Sequence, residues 1–236
     1  MIIDVALNPA EIALLPQRDL SATTCVVFDI LRATSSMITA LQHGAREIHP
    51  VRTIDEALAL KAAMPDAVLC GERNGELIPG FDVGNAPPEY VAMAGKTIIT
   101  TTTNGTIALR SCEHARRVLV GALLNLNALA AELSDENSAH VLLVCAGTFA
   151  DFALEDAYAA GALIAQLREP QLTDAAHAAL AVAQHFPDPL DALRAAQNGR
   201  VLAAKGRGAE VEWCARRSVF NVVGEMQSAV IRSLVT

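Results

Sequence analysis

The chain has 236 residues, 52% of them hydrophobic and only 4% aromatic, with a formal net charge of -8 at neutral pH. That much apolar side chain fills a sizeable core. Scarce aromatics and an acidic balance exclude a base-stacking or phosphate-backbone surface, so no nucleic-acid partner is expected. No apolar run reaches the roughly 20 residues of a membrane span, and no basic leader precedes a long apolar segment at the N-terminus. The five cysteines (Cys25, Cys70, Cys112, Cys145, Cys214) are scattered and include no Cys-x-x-Cys pair. A soluble, cytoplasmic protein with reduced thiols and no membrane contact is expected.

Apolar, β-branched runs predict strands over residues 2–6, 24–30, 47–51, 67–70, 97–101, 117–120 and 140–145. Between them "TSSMITALQHG", "TIDEALALKAAM", "NGTIALRSC" and "NLNALAAELS" carry helical spacing, with Ser, Thr or Asn near their starts. This alternation predicts a layered α/β fold, with a mainly parallel or mixed sheet flanked by helices. Several strands are almost continuously apolar, as befits a sheet covered on both faces. After Gly147 the character changes: residues 155–168, 173–184, 189–204 and 211–217 read as helices, followed by a short β-like run "VFNVV" at 219–223. A helical C-terminal third packed on the sheet is expected. No Gly/Ser-rich linker interrupts the chain, so residues 1–236 read as a single compact unit; a subdivision, if any, falls near 147–155.

In an open α/β sheet, ligands collect beyond the carboxyl ends of the strands. Four polar clusters occupy that position. "VVFDILRATSS" carries Asp29 and Arg32, with Thr34 and Ser35 at the next helix start; "LCGERNG" carries Glu72 and Arg73. "TTTTNGT" carries Thr102, Thr103, Asn104, Gly105 and Thr106, and "VLLVCAGTFADFALEDAYAAG" carries Gly147, Thr148, Glu155 and Asp156. If the strands are parallel, all four project from one edge. The segment "GERNGELIPGFDVGNAPPEY" (71–90) is rich in glycine and proline and follows a strand, which marks it as a structured functional loop containing Asp82.

Arginine forks suit bidentate binding of phosphate or sulfonate. Carboxylates not consumed by them suit Mg2+, which takes oxygen ligands and substrate phosphate. The metal ligands are expected among Asp29, Glu72, Asp82, Glu155 and Asp156, and "TTTTNGT" is read as an anion cradle of hydroxyls and amides at a helix start. Structural alternatives stand beside each. Asp29 alternatively reads as pairing with Arg32, Glu72 and Arg73 as turn charges, Asp82 as an Asx-turn residue, and Glu155 and Asp156 as acids at a helix N-terminus. Thr102, Thr103 and Thr106 have the alternative of strand and cap residues. No Walker A sequence, Cys-x5-Arg loop, Asp-x-Asp pair at Asp29, Gly-x-Ser-x-Gly elbow or His-Glu-x-x-His is present.

Together "VVFDILRATSS", "GERNGELIPGFDVGNAPPE", "TTTNGTIAL" and "CAGTFADFALEDAYAAGAL", with a weaker echo in "EVEWCARRSVFNVV", resemble the 2-phosphosulfolactate phosphatases associated with coenzyme M biosynthesis. The resemblance runs from about residue 24 to residue 223. It implies Mg2+-dependent hydrolysis of a small anionic phosphoester, 2-phospho-3-sulfolactate, to 3-sulfolactate and phosphate. It also implies Asp29, Arg32, Glu72 and Arg73 as catalytic, and adds Asn85 to the substrate-binding set. Ala86 stands where a Ser is usual in that family and Ala150 where a Gly is usual; Asn221 and Gly224 replace an expected Asp and Pro. Asp29 reads equally as phosphorylated nucleophile or metal ligand. Two other readings remain open: a non-catalytic small-anion binding protein, and a hydrolase with Thr102 or Cys145 as nucleophile, though no His lies in the four clusters. Apolar helical surface is compatible with a homo-oligomer.

Overall fold

The strand runs pair into one mixed sheet in the computed structural model, which describes residues 1–135 and 138–234. In chain order the strands are β1 (Ile2–Ala6), β2 (Thr23–Phe28), β3 (Glu47–Pro50), β4 (Val68–Arg73), β5 (Glu76–Leu77) and β6 (Thr97–Thr101). Then follow β7 (Arg117–Gly121), β8 (His140–Cys145), β9 (Gln171–Leu172), β10 (Gly224–Gln227) and β11 (Val230–Ser233). The helices are α1 (Pro9–Ile12), α2 (Ala33–Gln42), α3 (Ile54–Ala63), α4 (Gly105–Ser111) and α5 (Leu126–Asp135). The C-terminal set is α6 (Leu154–Ile164), α7 (Asp174–His185), α8 (Pro189–Ala195), α9 (Gln197–Ala204) and α10 (Gly208–Ala215). No described helix is long and apolar enough to cross a membrane.

Across the sheet the order is β5-β4-β6-β3-β11-β10-β7-β2-β8-β1-β9. Strands β4, β6 and β3 pair in parallel, and so do β7, β2, β8, β1 and β9. The hairpin β10–β11 lies between the two sets and is antiparallel to both neighbours. The resulting reversals leave the two parallel sets running in opposite directions. The sheet is therefore mixed, which corrects the premise that parallel strands bring all four polar clusters to one edge. The clusters meet for another reason. Five steps separate β2 from β6, and ordinary strand twist of about 20–25° per step amounts to about 100–125° of rotation. A rotation of that size turns the carboxyl ends of the two sets toward each other, and the turns after β6 and β8 bond directly through Asn104.

Three apolar cores fit this arrangement. The inner one is continuous across both sets, joining Val27, Val144, Ile48 and Ile98 of the sheet to Met37, Ile38 and Leu41 of α2 and Leu109 of α4. The outer faces carry two separate cores, one beneath α5–α10 and one beneath α3. Helix α2 is buried from Ala33 to Leu41, so all its faces are enclosed. Small residues permit that approach, and the hydroxyls are satisfied locally. Ser35 Oγ donates to the Ile30 carbonyl, Thr39 Oγ1 to the Ser35 carbonyl, and Ser36 Oγ to the Asn85 carbonyl (2.8, 2.8 and 2.9 Å).

Two departures from the sequence expectations matter for the site. Residues 219–223 form no strand: the Phe220 N–H bonds the Leu124 carbonyl and the Val222 carbonyl accepts from Asn125 Nδ2, while the strand pair lies just beyond. The expected helix over 189–204 breaks at Ala196, whose extended ψ of 150° turns α9 back on α8. Gly199 makes that reversal possible, because a Cβ there would stand 1.7 Å from the Leu193 carbonyl oxygen.

Candidate active site

The turn from β2 into α2 builds the floor of the site. Asp29 leaves the strand with its carbonyl accepting from the Thr34 N–H (3.0 Å) and its own N–H donating to Thr34 Oγ1 (2.9 Å). Its Oδ1 accepts from the Ala33 N–H at 3.0 Å, fixing the carboxylate at the helix start. Thr34 and Ser35, expected to bind substrate, spend their hydroxyls closing this turn and do not line the cavity. Arg32 follows a cis Leu31–Arg32 peptide bond and is buried. Its guanidinium pairs with Glu210 of α10 and donates to the Gly75 carbonyl at 3.1 Å, not to Asp29.

The second wall comes from the other parallel set. Glu72, at the end of β4, accepts from the Thr103 N–H (2.7 Å), Thr103 Oγ1 (3.2 Å) and the Gly75 N–H (2.7 Å). It therefore ties the β4–β5 hairpin to the turn after β6. Arg73, its neighbour in the strand, is directed elsewhere by strand alternation. Its guanidinium donates to Thr101 Oγ1 and the Glu72 carbonyl (2.8 Å each), and it does not line the cavity. Asp82 also stands outside: its carboxylate accepts from the Leu69 N–H at 2.8 Å. Asn85 does line the cavity.

The "TTTTNGT" stretch forms a lock. Thr102 Oγ1 accepts from the Thr106 N–H and Thr106 Oγ1 accepts from the Thr102 N–H, both at 3.1 Å. Asn104 crosses to the turn after β8, donating to the carbonyls of Ala146 (2.9 Å) and Phe149 (3.0 Å) and accepting from the Phe149 N–H (3.0 Å). Gly105 then packs against Asp29: a Cβ there would stand 2.5 Å from Asp29 Oδ2 and 2.7 Å from Ala33 Cβ. Only glycine fits between these two turns. Thr103 and Asn104 line the cavity, whereas Thr102 and Thr106 are enclosed by their mutual bonds.

Beyond β8, Gly147 takes a positive φ of 77° and donates its N–H to Asp156 Oδ2 at 3.0 Å. The Ile30 N–H donates to Asp156 Oδ1 at 2.8 Å, so this buried carboxylate joins the turns after β2 and β8. Glu155, also buried, accepts from Asn198 Nδ2, which in turn donates to Thr148 Oγ1 (2.7 Å each). Glu155 and Asp156 thus lie behind the cavity wall, with Asn198 and Gly147 in front.

The enclosed space is about 150 Å³, small enough to select a small molecule over a polymer. Asp29 and Glu72 form an acidic wall, Arg32 and Lys205 a basic one, and Asn85, Asn104 and Asn198 supply amides. Burial raises the Asp29 carboxyl to about 7; the Ala33 N–H opposes the rise, Glu72 and Glu155 add to it, and Arg32 offsets part. Burial likewise drives Asp156 well above the usual range, reinforced by Glu155 and Asp29 and opposed by the Ile30 and Gly147 N–H groups. Glu155 is raised by burial against its own N–H and Asn198. Clustered buried acids of this kind mark functional clefts. Among the described residues, no group of three or more His, Cys, Asp or Glu side chains is arranged to hold a metal ion.

Sequence reasoning missed Lys205, Asn198 and Gln197, all brought to the cavity by α9. Their signal is a polar pair at a helix start with Val201, Leu202 and Lys205 following at helical spacing, legible only once the break at Ala196 is known.

A family model described as 2-phosphosulpholactate phosphatase matches residues 11–229. Relatives named "Probable 2-phosphosulfolactate phosphatase" include one from Deinococcus radiodurans, 40% identical over 84% of this chain and 85% of its own. A second, from Carboxydothermus hydrogenoformans, is 38% identical over 95% and 93%. A third, from Thermotoga maritima, is 35% identical over 93% and 96%.

Proposed function

The chain belongs to the 2-phosphosulpholactate phosphatase family, and from this we propose that it hydrolyses the phosphate ester of 2-phospho-3-sulfolactate to 3-sulfolactate and phosphate. The observation that carries the reading is one small cavity with an acidic and a basic wall, built from the same four motifs that the relatives' family model spans. Such a space suits a compact molecule whose phosphoryl group needs both cationic contacts and a proton acceptor.

In this reading Asp29 takes the proton of the attacking water as the water oxygen bonds to phosphorus, and the ester oxygen leaves and takes up a proton from solvent. Arg32, held in place by Glu210, contributes positive charge beside the phosphoryl oxygens. Glu72 keeps Thr103 and the hairpin tip in place. A nucleophilic role for Thr102 or Cys145 finds no support. Thr102 is locked to Thr106, burial pushes the Cys145 thiol well above its usual range, and neither side chain lines the cavity.

Mg2+ is part of the proposal, and the donor chemistry fits it. Asp29 lines the cavity, and its Oδ2 accepts no N–H or O–H among the described residues. Mg2+ commonly takes one or two carboxylates and completes its shell with water and substrate phosphate, without an all-protein cage. Asp29 would hold it, and when bound it would neutralise charge on the phosphoryl oxygens. The test is phosphate release from 2-phospho-3-sulfolactate before and after exhaustive chelation. Turnover that is lost on chelation and restored by Mg2+ is expected, with a Mg2+-induced rise in Tm that shrinks in Asp29→Asn. Full activity after chelation refutes the metal, and binding without turnover refutes the enzyme.

A further inference from the structure

The basic side of the cavity is unusually constructed. The hairpin between β4 and β5 turns through Asn74 and Gly75, both with positive φ, and both residues line the cavity. The Gly75 carbonyl accepts from two guanidiniums, Arg32 Nη2 at 3.1 Å and Arg207 Nη1 at 2.7 Å. Lys205 Nζ approaches the same residue, 3.9 Å from where a Gly75 Cβ would stand. Two guanidiniums therefore meet one neutral carbonyl at the wall of a cavity, with a third cation beside the same residue. Arg32 is buried and matched by Glu210. Lys205 and Arg207 share one counter-ion, Glu76, at 2.6 and 3.0 Å.

That sharing is weakly held. Glu76 is 54% exposed and Lys205 40%, and exposed ion pairs contribute little. Lys205 lines the cavity, whereas Glu76 does not. A small anion inside the cavity thus competes with Glu76 for the ammonium, in a more enclosed setting than the carboxylate occupies.

We propose that Lys205 is the specificity determinant that binds a non-reacting anionic substituent of the substrate, with Arg207 beside it and Glu76 as the internal competitor. The inference rests on the phosphatase reading and deepens it. Arg32 and Lys205 flank Gly75, so the phosphoryl group lies on the Asp29–Arg32 side and the second anion on the Lys205 side. A lysine is suited to this task, being a compact point charge that meets a sulfonate from several directions.

The test measures 3-sulfolactate and inorganic phosphate as competitive inhibitors of 2-phospho-3-sulfolactate hydrolysis. Lys205→Gln should weaken 3-sulfolactate by about tenfold or more, the effect of losing one charge-assisted contact, and change phosphate by less than about twofold. Glu76→Gln should tighten 3-sulfolactate by about two- to fivefold, because it frees both cations. Lys205→Arg should recover most of the loss. Both positions are exposed, and thermal melts verify that each of the three variants is folded. If Lys205→Gln and Glu76→Gln shift the inhibition in the same direction, Lys205 only latches the hairpin and the proposal falls. Equal weakening of phosphate and 3-sulfolactate also overturns it. Absence of hydrolysis by the wild-type protein overturns the phosphatase reading itself.

Discussion

Gly105→Ala tests the meeting of the two reversed strand sets at its tightest point. The added Cβ would lie 2.5 Å from Asp29 Oδ2, 2.7 Å from Ala33 Cβ and 3.1 Å from Asp29 Cβ. The partners cannot retreat freely, since Asp29 is tied to Ala33 and Thr34, and Ala33 opens a helix buried on every face. Overpacking of this kind costs about 1–3 kcal/mol, which for a chain of this size lowers Tm by roughly 2–12 °C. The effect on catalysis should be larger. Relieving the clash moves the carboxylate by roughly 0.5–1 Å, and a misplacement of about 1 Å costs on the order of 100-fold in rate. The assay is phosphate release from 2-phospho-3-sulfolactate well below the variant's Tm, with circular dichroism confirming the fold. Gly208→Ala is the control: it opens α10, and a Cβ there meets no atom within 4 Å. Wild-type kcat/KM and Tm in Gly105→Ala would refute the argument, because the Asp29 carboxylate would then be free to move without consequence.

Asp29→Asn should reduce kcat by about 100- to 10,000-fold, the range of a lost acid–base group, yet raise stability in metal-free buffer. The sign follows from the rise of the carboxyl from 3.8 to about 7 on folding. The protonated form's stabilising contribution is complete below about pH 4, is lost as pH climbs to about 7, and is gone above it. The advantage of Asp29→Asn in Tm should therefore grow between those limits and then level off; an advantage independent of pH contradicts the burial argument. Thr106→Val removes the hydroxyl that caps Thr102 and should cost about 1 kcal/mol in stability, with phosphate inhibition within about twofold of wild type. A tenfold loss of phosphate binding in that folded variant would restore the anion-cradle reading.

Much of the fold was legible because β2, β6, β7 and β8 are covered on both faces and so read as unbroken apolar runs. The reversal of the two strand sets was not. It depends on β10–β11, a hairpin whose turn residues Ser228 and Ala229 both adopt positive φ without the Asn-Gly signature that would announce it. Its partner β7 lies about a hundred residues earlier in the chain, and no local pattern encodes that pairing. At the site, Asp29, Glu72 and Gly147 were readable as residues at the ends of apolar strands. Arg73 was placed beside Glu72 by composition, but adjacent residues of a strand point to opposite sides, a constraint the sequence itself contains. Lys205 and Asn198 were beyond reach, since their delivery depends on Gly199 backing onto the Leu193 carbonyl.

The four threonines before Asn104 show how polar residues at a site can be committed to partners within the frame. Hydroxyls at a strand-to-helix turn suggest an anion site, yet here Thr102 and Thr106 bond each other, Thr103 bonds Glu72, and Thr101 accepts from Arg73. Each of these groups is buried or nearly so, and without its partner would carry a desolvation cost of about 1–3 kcal/mol. Most of these bonds join turns of neighbouring strands within one set, as Glu72 does between β4 and β6 and Asp156 between β2 and β8. Asn104 alone of them crosses between the oppositely directed sets, where no strand ladder is shared and side chains supply the bonds that backbone pairing cannot. What remains for a ligand is the small remainder: Asp29 Oδ2, to which no group among the described residues donates, and Lys205, paired with the exposed Glu76 carboxylate. A rigid frame with few uncommitted groups is the arrangement expected where catalysis depends on fixed charges and not on reorganisation.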